Sequence, residues 1–141
     1  MASFEDQIKG VKGRFVIKSE RVVRGVVLEI GKSIIEMSPV GDPSYWISGA
    51  PKGYVGGRFR ANWDYGFNSI PRQQYDDVDK SGNVSMDRVK SGLTEAFGVH
   101  YIANNLEYSQ KLENGWSRQA PNGMVKLTAM KFASFVKDSL R

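Results

Sequence analysis

The chain has 141 residues, 40% hydrophobic and 25% charged, a balance that fits one folded domain and is far from that of a disordered chain. It has no cysteine, which excludes disulfide frameworks, thiol nucleophiles and thiolate metal sites. Its 20 Lys and Arg against 15 Asp and Glu give a formal charge of +5, a modest excess that reads as a mixed-charge surface, with an acidic partner such as DNA as the alternative.

Residues 3–37 contain no proline, and Phe4, Ile8, Val11, Phe15, Val22, Val26, Ile30, Ile34 and Met37 fall on one helical face. Ser3 is the expected N-cap, with Glu5 and Asp6 in the first turn, and Ser38-Pro39 is the stop signal. Gly10, Gly13, Gly25 and Gly31 each cost about 1 kcal/mol relative to alanine and mark places to bend or fray. A helix this long outruns so small a domain, so part of its apolar stripe is expected to meet another subunit. The alternative is two shorter helices folded onto one core.

Residues 39–57 hold Pro39, Pro43 and Pro51 with Gly41, Gly49, Gly53, Gly56 and Gly57, and read as a long loop. Tyr45, Trp46, Ile47 and Tyr54 make it aromatic, which suits either a docking loop or a lid folded back on the core. Residues 58–67 alternate apolar with polar or glycine, predicting a strand whose wet face carries Arg58 and Arg60. Further on, 84–93 reads as a short helix or turn, 100–106 as a strand, and 107–112 as a helical turn ending at Asn114-Gly115. A last helix is expected over 122–140, with Val125, Ala129, Phe132, Val136 and Leu140 on its apolar face and Asn122 as cap after Pro121.

Residues 77–84, Asp-Val-Asp-Lys-Ser-Gly-Asn-Val, match the opening of an EF-hand calcium loop, including the glycine at position six. Position twelve, where a bidentate Glu belongs, is Arg88, so a hydrophilic turn is expected and no specific calcium site. His100 is the only histidine, which excludes multi-histidine metal sites, and no Gly-x-Ser-x-Gly elbow or phosphate loop is present. No enzyme activity and no cofactor are expected. The best nucleic-acid case joins Arg58 and Arg60 to the basic C-terminal residues Arg118, Lys126, Lys131, Lys137 and Arg141, without any recognisable DNA- or RNA-binding motif.

Two stretches carry a resemblance. Ser38-Pro39-Val40 followed by Gly57-Arg58-Phe59-Arg60-Ala61-Asn62-Trp63 resembles the pattern Ser-Pro-Val-Asp-Thr-Gly-Arg-Phe-Arg-Ala-Asn-Trp, found after the first helix of tail-completion or tail-component proteins of long-tailed double-stranded DNA bacteriophages. Residues 102–124, Ile-Ala-Asn-Asn-Leu-Glu-Tyr-Ser-Gln-Lys-Leu-Glu-Asn-Gly-Trp-Ser-Arg-Gln-Ala-Pro-Asn-Gly-Met, are similar to that family's segment before the last helix. The order and spacing agree, but residues 41–56 interrupt the first pattern here as an insertion.

The resemblance implies an α+β fold in one domain, with a long N-terminal helix packed on a small antiparallel sheet and a C-terminal helix. It implies a virion subunit of the phage neck or tail end, a ring-forming homo-oligomer that joins the tail to the DNA-filled head through contacts with itself and neighbouring proteins. Contact with packaged DNA would be non-specific. The alternative is a small basic nucleic-acid-binding protein. The residues nominated for protein interfaces are Arg58, Arg60, Trp46 and Trp116. No apolar run approaches the roughly 20 residues of a membrane span, and residues 1–6 lack signal-peptide regions, so synthesis in the host cytoplasm and residence in the virion are expected.

Overall fold

A computed structural model describes residues 3–41, 43–47, 49–52 and 54–141. Met1, Ala2 and Gly53, which opens the glycine-rich run of the predicted loop, lie outside the described residues. The first element, α1, is one unbroken helix over Phe4–Met37, not two. Ser3 caps it: its Oγ accepts the Asp6 amide at 3.2 Å and donates to the Asp6 carboxylate at 2.9 Å. Two of its glycines mark close approaches. A Cβ on Gly25 would stand 2.9 Å from Ser139 Oγ, and one on Gly31 would meet Ile102 Cδ1 at 3.4 Å.

At 1.5 Å per residue α1 is about 51 Å long, whereas a 141-residue globule has a radius of gyration of about 14 Å. The body therefore covers only part of it. Val26, Val27, Gly31, Ile34 and Ile35 are buried, while every residue from 4 to 18 is exposed. The half that is inside lies against α2, Asn83–Gly92, and α5, Phe132–Ser139.

Strands β1, Trp63–Phe67, and β2, His100–Asn104, pair antiparallel in a register running from Trp63 opposite Asn104 to Phe67 opposite His100. Two strands alone are marginal in water. Here β1 is backed by α2, and Ile102 of β2 reaches Gly31 of α1, so the sheet is held between helices. A short helix, α3 at Ser109–Glu113, leads toward α4, Val125–Met130, and α5. The architecture is α+β, with a long N-terminal helix, a small antiparallel sheet and a helical C-terminus.

The largest fully buried side chains include Phe59, Leu112, Met124 and Val89, packed with Ile35 and Trp63. Each such burial stabilises by about 1.5–3 kcal/mol. Phe59 and Trp63 meet edge to face at 5.6 Å.

Two sequence expectations are corrected here. The strand predicted over 58–67 starts only at Trp63, because Arg60–Asn62 forms a 3-10 turn. Phe59, Ala61, Asn62 and Trp63 are all buried, so the odd apolar positions point inward without a strand, and Asn62, expected to be wet, is 0% exposed. The final helix is broken at Lys131 into α4 and α5, and it faces inward through Met124, Thr128 and Phe135. Val125, Phe132 and Leu140, predicted to be its core face, are 45%, 51% and 55% exposed.

Both junctions of the fold are closed by charged side chains at helix ends. No basic residue occupies the last turn of α1. Arg60 supplies the cation from outside: its Nη2 donates to Glu36 O at 2.8 Å and Ser38 O at 2.7 Å, and Nη1 to Lys80 O at 2.7 Å. Ser38 is buried, donates to Ile34 O at 2.7 Å and accepts Trp63 Nε1 at 2.7 Å. At the other end, Glu113 accepts the amides of Met124 and Val125 at 2.8 Å and of Lys126 at 3.1 Å, so the expected cap Asn122 gives way to a carboxylate from α3.

Replacing Arg60 with Met keeps the volume but strips donors from three carbonyls, and should cost about 2–4 kcal/mol. Urea unfolding should show this as a lower midpoint at unchanged slope, with Arg60→Lys recovering only part because an ammonium lacks the planar fork. Glu113→Ala should cost about 1–2 kcal/mol in the same assay, and Glu113→Gln, which keeps one acceptor, less.

Candidate interaction surfaces

The inserted segment folds back on the body. Trp46 is 3% exposed, lies edge to face with Tyr54 at 5.3 Å and Tyr108 at 5.9 Å, and forms a β-bridge with Ser117. Ile47 N donates to Trp116 O at 2.9 Å and Arg118 N to Tyr45 O at 2.8 Å. Gln119 Oε1 accepts the amides of Val40 and Gly41 at 2.9 and 3.1 Å. Trp46, nominated as an interface residue, is thus a core residue of the lid. Burial raises the pKa of Tyr54 and pushes that of Tyr108 up to about 12; the Tyr108 hydroxyl has no hydrogen-bond partner among the described residues.

The outer side of the same lid is apolar and wet. Tyr45 is 43% exposed and Ile47 60%, beside Trp116 at 41%. Trp116 has Lys111 Nζ over its ring at 5.1 Å, a cation–π contact that holds the indole at the surface. Of the four nominated residues it alone presents a large side chain outward.

Arg58 and Arg60 do not sit on a wet strand face, because the 3-10 turn carries them to the body. Arg60 is the α1 clamp, and burial lowers its pKa, with Glu36 and Asp79 acting in the opposite sense. Arg58 Nε donates to Tyr75 O at 3.1 Å, and its Nη2 lies 3.5 Å from Asp76. Asn62 holds the same segment, donating to Tyr75 O at 2.9 Å and accepting Tyr75 N at 2.8 Å.

In the segment that resembles a calcium loop, the carboxylates are engaged by protein donors. Arg88, at position twelve, reaches back to Asp77 Oδ2 at 2.6 Å, stacks over Tyr75 at 3.6 Å and donates to the carbonyls of Ala61 and Trp63. Asp79 accepts Ser81 Oγ at 2.6 Å and Val84 N at 2.9 Å, acting as the cap that the side-chain-less Gly82 cannot provide for α2. His100 bridges Tyr65 Oη at 2.6 Å and Ala96 O at 2.6 Å; with Nε2 donating to that carbonyl, Nδ1 is left to accept the phenol. Among the described residues no group of three or more His, Asp or Glu is placed to hold a metal ion.

The hydrogen bonds from Ser81 and then Val84 lower the Asp79 pKa below its ordinary 3.8. A depressed folded-state pKa contributes stability that is present above the unfolded value and lost as pH falls through the folded one. Asp79→Asn should therefore be less stable than the parent by a few tenths of a kcal/mol at pH 7, a small effect because the carboxylate is solvent-screened, with the gap closing in denaturant titrations as pH drops below the carboxylate range.

A second exposed surface is the projecting half of α1. Phe4 is 79% exposed, Ile8 52%, Val11 56% and Phe15 70%, all on one side, and Lys9, Lys12, Arg14 and Lys18 are exposed around them. A cleft of about 360 Å³ between the α1 end and Gln119–Gly123 is lined by Arg60, Glu36 and Leu127, and its guanidinium is already committed to the clamp. No helix among the described residues is long and apolar enough to cross a membrane.

The roles missed in the sequence are those of Ser38, Asn62, Arg88 and Glu113, whose partners Trp63, Tyr75, Asp77 and Met124 lie 11 or more residues away. The two motif stretches hold three of them, Ser38, Asn62 and Glu113, which was the available signal. Comparison with protein-family models, curated proteins and solved structures finds no match to this chain.

Proposed function

We propose that this is a non-enzymatic structural protein of the neck or tail end of a long-tailed bacteriophage, which joins or completes the tail by binding copies of itself and neighbouring virion proteins. The observation that carries this reading is the projecting half of α1, where Phe4, Ile8, Val11 and Phe15 are each more than half exposed. Monomeric proteins rarely leave a contiguous apolar stripe of this kind uncovered. The sequence resemblance supports the phage context. Its residues Ser38, Arg60, Asn62, Trp63 and Glu113 are used inside the fold, and the projecting helix and the Tyr45–Ile47–Trp116 patch are left for partners.

The same helix carries Lys9, Lys12, Arg14 and Lys18, all exposed, which favours a second reading as a nucleic-acid-binding protein. The two readings use charge differently. In a phage encoding this protein, Phe15→Asp and Trp116→Ala should each reduce joined, DNA-filled particles about tenfold or more, and Lys9→Ala, Arg14→Ala, Lys126→Ala or Lys131→Ala should have little effect. The opposite ranking, together with tight duplex binding by the purified protein and a steep salt slope, would establish the nucleic-acid reading instead.

A further inference from the structure

Resting on the reading of the projecting helix as an assembly element, we infer that its occupant is a second copy of the same helix, running antiparallel over residues 4–15. The apolar positions Phe4, Ile8, Val11 and Phe15 step by four, three and four, the spacing of a coiled-coil seam. The next seam position is Lys18, where the stripe stops. From Ser19 on, α1 begins to be covered by its own body. An antiparallel overlap centred between Ile8 and Val11 covers the remaining stripe without bringing the two bodies together, placing Phe4 against the partner's Phe15 and Ile8 against the partner's Val11.

Charge decides the direction. Glu5 and Asp6 occupy the first turn, and the cations Lys9, Lys12, Arg14 and Lys18 follow. A parallel pair would lay the cationic stretch of one helix beside that of the other and align the two helix dipoles. The antiparallel pair sets Glu5 beside the partner's Lys12 twice, by symmetry, and opposes the dipoles. Such a two-fold contact uses the same patch on both subunits and joins two of them. A ring requires a second, different surface, for which Tyr45, Ile47 and Trp116 form the exposed patch.

The experiment uses the purified full chain in sedimentation equilibrium at low salt, with near-ultraviolet circular dichroism to confirm an intact body. Ile8→Asp should weaken dimerisation about a hundredfold. Glu5→Lys and Lys12→Glu should each weaken it about tenfold, and the double exchange should return it to within about twofold of the parent. Because the chain has no cysteine, Arg21→Cys gives a single spin-label site. Label separation should be about 35 Å in the antiparallel pair, against about 10–20 Å in a parallel one. A short distance, or no rescue by the double exchange, overturns the antiparallel pairing and leaves the assembly reading standing. A monomer at every concentration also overturns it; if Phe15→Asp phage then still fail to form joined particles, the helix serves another virion protein. If those particles form normally, the assembly reading falls as well.

Discussion

A helix that leaves a small domain must be held firmly at its other end, and here α1 is packed against α2 and α5 and its last turn is closed by one guanidinium. Arg60 gathers the last carbonyls of α1 and the carbonyl of Lys80, so the helix end, the 3-10 turn and the approach to α2 converge on a single planar group. The same corner is closed from the inside by Ser38, which joins α1 to the Trp63 indole. Burying unpaired carbonyls at a helix terminus is unfavourable, so this corner forms only when all of these pieces are in place. The position of β1, and through its pairing that of β2, follows from it.

A complementary arrangement at the C-terminal helices has the opposite sign. Three amides at the start of α4 point at the Glu113 carboxylate, which α3 presents from the preceding segment. The body is therefore tied together by a cation on a helix C-terminus and an anion on a helix N-terminus, each contributed by a different element. The two stretches 38–63 and 102–124 contain both groups. In this chain those residues are explained by fold construction, which is why their side chains point inward.

What local spacing dictates was legible in the sequence: the unbroken α1, its Ser3 cap, the helix near 84–93, the second strand and the turn of helix near 107–112. Long-range partners were not legible. Alternation over 58–67 is also satisfied by a 3-10 turn whose residues are buried all round, and only Arg60 reaching carbonyls more than 20 residues earlier selects that turn. The C-terminal helix was misread for a related reason. Its exposed Val125, Phe132 and Leu140 form a plausible stripe, but Glu113 sets the rotation at which Met124 and Thr128 face the core. Of the interface nominees, Trp116 remains outward beneath Lys111, whereas Trp46 is drawn inward by Tyr54 and Tyr108.

The projecting half of α1 also acts as a lever. Some 15 residues beyond the body give an arm of about 22 Å. A tilt of roughly 10° at the anchored end therefore moves the tip by about 4 Å, about three quarters of the pitch of one helical turn. Small misfits between neighbours can be absorbed by angle, with no side chain of the body repacked. Conversely, a load applied at the tip is delivered, magnified by the length of the arm, to the packing of the buried half of α1 against α2 and α5.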